Sequence, residues 1–246
     1  TPLMKAVQLN HHKIATLILS RLSTKKEKQR LMLMDKAVAQ TVNHKNWFQR
    51  QQHEIRQNAV IVALQRVREQ TDYLRESTRM PMVRLLIGSC DNVKAVMKYK
   101  NSVNESIYHY LVTKEICEYF KTMKVTFNVK SWSIKDVNGV TPFMRALSVS
   151  GDRSRVEFIE WIFENCCKNT EEKLKLIYQY DNEGQMALDK VSGTVMHFLI
   201  AFVKSKGTFK SIKDLDKLIP LYLYSLKTSK LELARWTLSL LKNASD

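Results

Sequence analysis

"DVNGVTPFMRAL", residues 136–147, decides how the rest of the chain is read. Asp136-Val137-Asn138-Gly139 has the chemistry of a tight reversal, because Asn and Gly tolerate the left-handed backbone such a turn needs. Thr141 suits a helix N-cap, its hydroxyl accepting an otherwise unmet backbone N–H. Pro142 suits the first helical position, where a missing N–H costs nothing. Phe143, Ala146 and Leu147 then fall three and four apart and share one helix face. The stretch is a turn followed by a sharply started short helix.

Parts of the same unit recur, and internal repeats govern the whole fold. "DNEGQMALDK" (181–190) keeps the Asp-x-x-Gly order before a small apolar helix start, and "TPLMKAV" (1–7) keeps the Thr-Pro start. Met34-Asp35-Lys36-Ala37-Val38, Pro81-Met82-Val83-Arg84-Leu85-Leu86 and Pro220-Leu221-Tyr222 are looser echoes. An apolar second helix follows, with Ile14, Leu17 and Ile18 after Pro2, and Val93, Val96 and Met97 after Pro81. Here the chain resembles the ankyrin-repeat family, whose pattern is Asp-x-x-Gly-x-Thr-Pro-Leu-His-x-Ala, a Gly turn, then a Val-x-x-Leu-Leu helix. The family's His is replaced, with Met4, Val83, Met144 and Asp189 standing there. Unit starts fall near residues 2, 35, 81, 106, 142, 187 and 220, off the family period of about 33. The resemblance implies an all-α fold: an irregular ankyrin-repeat solenoid with inserted and elongated helices, forming one domain over 1–246. The chain opens at a unit's helix cap with no turn before it, so on this reading it is a piece of a longer protein.

Between these units the spacing predicts further elements. Residues 1–20 read as a first helix pair. Phe48, Ile55, Ala59, Val62, Ala63, Val67 and Leu74 keep helical spacing and predict one long, kinked or straight helix over 47–77. "SIYHYLVTKEICEYFKTM" (106–123) predicts a short helix pair without the family signature. "VTFNVKSWSI" (125–134) is β-branched and aromatic and reads as an extended finger. Residues 156–180 read as a second helix plus an extra helical piece, and "LELARWTLSLLKN" (231–243) as an amphipathic helix stopped by Asn.

Composition bounds the function. In 246 residues, 44% are hydrophobic, enough for a packed core. No apolar run nears the roughly 20 residues of a membrane span, and no signal-peptide profile opens the chain. Four cysteines without CxxC spacing read as reduced, buried thiols of an intracellular protein. No HExxH, phosphate-cradling Gly loop or GxSxG elbow is present. Cys90 in "IGSCDN", with His109 able to approach it, is the nearest thing to a nucleophile, and its ordinary reading is a buried residue between two helices. Neither a cofactor nor a metal is implied.

Charge says more. Lys and Arg number 40 against 24 acidic residues, a net charge of +16. Residues 1–50 hold ten Lys/Arg against Glu27 and Asp35, whereas 151–183 lean acidic. Lys25, Lys26, Lys28 and Arg30 read as a solvated helix face. Three residues after the Pro position stand Lys5, Lys36, Arg84, Arg145 and Lys190, with His109 in the unit near 106 and Leu223 in the last. In the resembled fold these cations would line a concave groove; otherwise their long stems pad contacts between repeats. Trp132 in the finger would be an aromatic anchor.

The resemblance implies a recognition scaffold with no chemistry of its own: an intracellular protein–protein interaction module whose basic groove binds an acidic protein partner. Degenerate repeats and inserted helices also look like those of host-directed ankyrin effectors of intracellular bacteria. Two other classes stand beside it. One is a basic domain that binds nucleic acid or nucleosomes. The other is an accessory ankyrin domain of an enzyme whose catalytic part lies outside this chain.

Overall fold

The structure, a computed structural model, describes residues 1–33, 36–40, 53–69, 73–148, 152–191, 193–205, 222, 225–226 and 231–243. Over these residues the chain is mostly helical, with a two-stranded antiparallel hairpin. It packs as two compact units, Thr1–Thr126 with Ile134–Val137, and Phe127–Ser133 with Asn138–Asp246.

The first unit opens as the sequence predicts. Thr1 caps helix α1 (Pro2–Gln8), its hydroxyl accepting the Met4 N–H at 3.2 Å, and Pro2 takes the first position. Asn10 (φ 56°) reverses the chain, with the His11 N–H donating back to the Ala6 carbonyl at 2.8 Å. Helix α2 (His12–Ser20) returns along α1. Helix α3 (Lys25–Leu33) starts at a capping box: the Glu27 N–H donates to Thr24 Oγ1 (3.1 Å), and the Thr24 N–H to Glu27 Oε2 (3.0 Å).

The long helix expected over 47–77 is replaced by a strand and two helices. Strand β1 (Lys36–Gln40) pairs with β2 (His53–Gln57), Val38 opposite Ile55. A new helix α4 (Ala59–Glu69) then begins, because Asn58 Oδ1 accepts the Ile61 N–H at 2.8 Å and caps it. Phe48 lies outside the described residues. Residues Ala59 to Leu64 are buried on every side, since α4 packs against α1, α3 and α5 and against a short 3₁₀ helix, Ile107–Tyr110. The helix expected to open at Pro81 instead runs through it, as α5 (Tyr73–Gly88). Leu74, Arg75 and Glu76 upstream are good helix formers and carry the helix into Pro81. Helices α6 (Val93–Met97) and α7 (Lys114–Thr122), capped by Asn92 and Thr113, complete this unit.

In the second unit Asn128 caps a short helix α8 (Val129–Trp132) where an extended finger was expected. Thr141 caps α9 (Pro142–Leu147), Oγ1 accepting the Met144 N–H at 3.3 Å, as read from the sequence. Helices α10 (Asp152–Cys166), α11 (Thr170–Ile177), α12 (Gly193–Ser205) and α13 (Leu231–Asn243) follow. The core here is aromatic. Trp132 meets Phe158 edge-on at 5.9 Å, Phe127 meets Trp161 at 5.5 Å, and Phe163 lies 5.1 Å from Phe202. The expected start at Pro220 lies outside the described residues.

One turn is built twice, atom for atom, once in each unit. In the first, the Asn101 N–H donates to the Glu105 carbonyl (2.9 Å), and Asn101 Oδ1 accepts from the N–H of Val103 (3.1 Å) and Glu105 (2.8 Å). In the second, the Asp181 N–H donates to the Gln185 carbonyl (3.0 Å), and Asp181 Oδ1 accepts from the N–H of Glu183 (3.0 Å) and Gln185 (2.9 Å). Bridges Lys100–Ser106 and Tyr180–Met186 close both at the same offset. The fourth residue is left-handed each time: Asn104 (φ 61°) and Gly184 (φ 73°). Gly139 (φ 76°) holds that place in Asp136-Val137-Asn138-Gly139.

Turns also pair with turns in one register. Within the first unit the Val137 N–H donates to the Val103 carbonyl at 3.0 Å; within the second, the Asn182 N–H donates to the Asn138 carbonyl at 2.9 Å. Each bond joins the second residue of one turn to the third of the turn before it in sequence. The unequal steps between turns follow from what fills them: α10 spans 15 residues and α11 is an additional helix.

Candidate interaction surface

The cations singled out by spacing have different environments. Lys5 is exposed on α1. Lys36 lies on strand β1 and not on the first helix of a helix pair, because Lys36–Gln40 pairs edge to edge with His53–Gln57. Arg84 is exposed on α5, but its guanidinium is 3.3 Å from Glu115 Oε1 and 5.7 Å from the Tyr119 ring centroid. Arg145 is half-buried on α9. Lys190 is held inside its own turn: its ammonium donates to Asp181 Oδ2 at 2.6 Å and to Gln185 Oε1.

That last contact gives the position a structural meaning. Lys190 is nine residues after the first residue of its turn, Asp181; Tyr110 is nine after Asn101. Asn101 Nδ2 donates to Tyr110 Oη (3.2 Å) and to Glu105 Oε2 (2.9 Å), and Tyr110 Oη donates to Glu105 Oε2. In both turns this side chain ties the helix back to the turn it follows. Recurrence of a long polar residue there therefore reflects turn bracing at Lys190. Trp132 is fully buried against Phe158, so its ring is core and not a surface anchor. It turns inward because Asn128 starts a helix and carries the apolar residues of this stretch under α10.

The segment before the 3₁₀ helix carries one of the two duplicated turns. Ser106 precedes the 3₁₀ helix, and His109 Nδ1 accepts the Ser106 N–H at 3.0 Å. Asn101, Asn104, Ser106 and His109 keep the offsets of Asp, Gly, Thr and His in the repeat pattern. Asn stands where that pattern has Asp and Gly. His109 Nδ1 is thus occupied, and Cys90 Sγ donates to the Leu86 carbonyl at 3.3 Å. Burial pushes the Cys90 thiol up to about 12, so it is protonated and a poor nucleophile. Among the described residues no group of three His, Cys, Asp or Glu is placed to hold a metal. No described helix is long and apolar enough to cross a membrane.

The first three helices and the turns between them carry one run of exposed positive charge. Residues 1–33 carry Lys5, Lys13, Arg21, Lys25, Lys26, Lys28 and Arg30 against Glu27 alone. All but Lys28 are exposed. Glu27 offsets only one of these charges, its carboxylate accepting from Ser23 Oγ (2.9 Å) and the Thr24 N–H. The Ser23 and Thr24 bonds hold its pKa below the ordinary glutamate value. Sequence reading saw this charge but not what lies beside it. Helix α2 buries Ala15 and Leu19 and turns Ile14 (50% exposed) and Leu17 (57%) to solvent. Leu9, before the α1–α2 turn, is 52% exposed. Ile14 and Leu17, three residues apart, share one face of α2.

No family model matches the chain, and no curated protein matches it.

Proposed function

We propose that this chain is a non-catalytic recognition scaffold of the ankyrin type that binds an acidic protein partner inside the cell. The observation that carries the reading is the duplicated turn. Two Asx-braced turns with a left-handed fourth residue, joined to a third by hydrogen bonds in one register, are what a stacked turn-and-helix-pair repeat requires. Such repeats present exposed turn tips and helix faces to other macromolecules and need no reaction chemistry. The braced Lys190 and the Glu115-paired Arg84 move the acidic-partner site away from a groove ladder and towards the cations of α1–α3, which form no ion pair among the described residues. Free cysteines at 90, 117, 166 and 167 support an intracellular setting.

A second reading, duplex nucleic-acid binding, is favoured by the seven-to-one charge ratio of residues 1–33. Affinity capture with and without nuclease separates the two. The scaffold reading expects an acidic protein that stays bound after nuclease, with affinity falling modestly as salt rises. A duplex would instead lose affinity steeply, by about 0.9 in log affinity per log salt for each phosphate neutralised. Capture of nucleic acid alone contradicts the scaffold reading.

A further inference from the structure

We propose that the outer face of α2 docks an amphipathic acidic segment of a partner protein, with Ile14 and Leu17 as its apolar seat and Lys13, Arg21 and the α3 cations as its charged rim. This rests on the protein-binding reading above and assigns it a place and a partner chemistry.

The face follows from helical geometry. Ala15 and Leu19, four apart, point into the core and are at most 2% exposed. Ile14, Leu17 and Arg21, at steps of three and four, therefore share the opposite, solvent pole. Aliphatic side chains at the solvent pole of a helix gain nothing from folding this chain. The exposed hydroxyls on this helix bond back to its own backbone: Thr16 Oγ1 donates to the His12 carbonyl (2.9 Å), and Ser20 Oγ to the Leu17 carbonyl (2.8 Å). Leu9, before the turn into α2, adds a third exposed aliphatic.

Charge selects the occupant. Lys13 is exposed on α2 and Arg21 at its C-cap, and Lys25, Lys26 and Arg30 are exposed on α3. None of these five forms an ion pair among the described residues, and Glu27 is engaged by Ser23 and Thr24. A segment with aliphatic residues along one stripe and Asp or Glu at its flanks satisfies both features at once. A duplex phosphate backbone would use the cations and leave Ile14 and Leu17 wet. That difference makes the apolar pair the discriminating element.

The probe is a fluorescent 18-residue peptide with Leu at helical i, i+3, i+4 and i+7 positions and Glu flanks, beside a scrambled peptide of equal composition. A random DNA duplex and phosphatidylserine vesicles are the other arms. Anisotropy is read for the parent chain, for Ile14→Ser/Leu17→Ser and for Arg21→Glu/Lys25→Glu, with circular dichroism checking that each folds. Both aliphatics are half-exposed, so their replacement leaves the core intact. The proposal expects the patterned peptide to bind in preference to the scrambled one. It expects roughly tenfold or greater weakening in Ile14→Ser/Leu17→Ser, from two aliphatic seats lost, and weakening that shrinks with salt in the charge reversal. Equal binding of both peptides, or no change in Ile14→Ser/Leu17→Ser, overturns it. So does binding confined to duplex, or to vesicles. A captured acidic protein whose affinity ignores Ile14→Ser/Leu17→Ser would sink this site while leaving the scaffold reading standing. Capture of nucleic acid alone would sink the scaffold reading itself.

Discussion

Cys90 is 5% exposed, its Sγ turned to the Leu86 carbonyl, and burial raises its pKa to about 12 from an ordinary value near 9. Cys167 is half-exposed and pushed up to about 11, by burial first and by Glu172 second, with Lys173 opposing. Neither thiol is a thiolate near neutral pH. The expected outcome is slow modification by a thiol reagent at pH 8 in the folded protein and rapid modification in urea, followed by absorbance; a Cys that reacts at the free-thiol rate while folded contradicts this. The sign with pH follows. Below pH 9 both states keep these protons, so nothing changes. Between about 9 and 12 the unfolded chain loses a proton that the folded chain holds, so stability declines. At this scale Thr1, Pro2, Thr141 and Pro142 were legible, because caps and first-turn prolines act locally. The brace of Lys190 on Asp181 was not, because a nine-residue offset has meaning only once the turn has folded.

Helix α4 shows what spacing alone misses between neighbouring elements. Ile55, Ala59, Val62 and Ala63 fit a helical stripe, yet Ile55 sits in a strand opposite Val38 and the helix restarts at Asn58. Five-residue strands are too short for periodicity to separate them from helix, and Ala37 and Ala39 carry little strand propensity. The cap makes Ala59 the first helical residue, a position that tolerates proline. Val62 is different, since its N–H donates to the Asn58 carbonyl at 3.1 Å. Val62→Pro should therefore cost about 3 kcal/mol or more, through the lost bond and the ring's clash with the preceding turn. Ala59→Pro should cost clearly less, its penalty limited to fitting the ring into a buried place. Melting temperatures of the two variants check this; equal losses would mean that the helix continues upstream through Asn58. Helices α1 and α13 were readable beforehand because Thr1-Pro2 starts the one and Asn243 stops the other, and α2 because its apolar residues keep helical spacing.

At the scale of the molecule, the recurring turn was visible where Asp and Gly are spelled out, at 136–139 and 181–184. It was hidden at 101–110, where Asn101 and Asn104 serve the same hydrogen bonds and the same left-handed backbone. Positive charge was legible only as a count, because spacing cannot tell a solvated Lys5 from a Lys190 tied to its own turn. What organises the chain on this account is the seating of one turn against the next. Gly139 and Gly184 test it directly. Both are left-handed, at φ 76° and 73°, so alanine at either should cost about 1 to 2 kcal/mol of backbone strain. Only Gly139 is pressed against a following turn: a Cβ there would lie 2.6 Å from the Asn182 nitrogen and 2.5 Å from its Oδ1, whereas one at Gly184 meets nothing within 4 Å. Overpacking against backbone adds a further ~1 to 3 kcal/mol at Gly139. Urea unfolding of Gly139→Ala and Gly184→Ala is the measurement. Stacked turns predict a clearly larger loss for Gly139→Ala; equal losses, or a larger loss for Gly184→Ala, would contradict them.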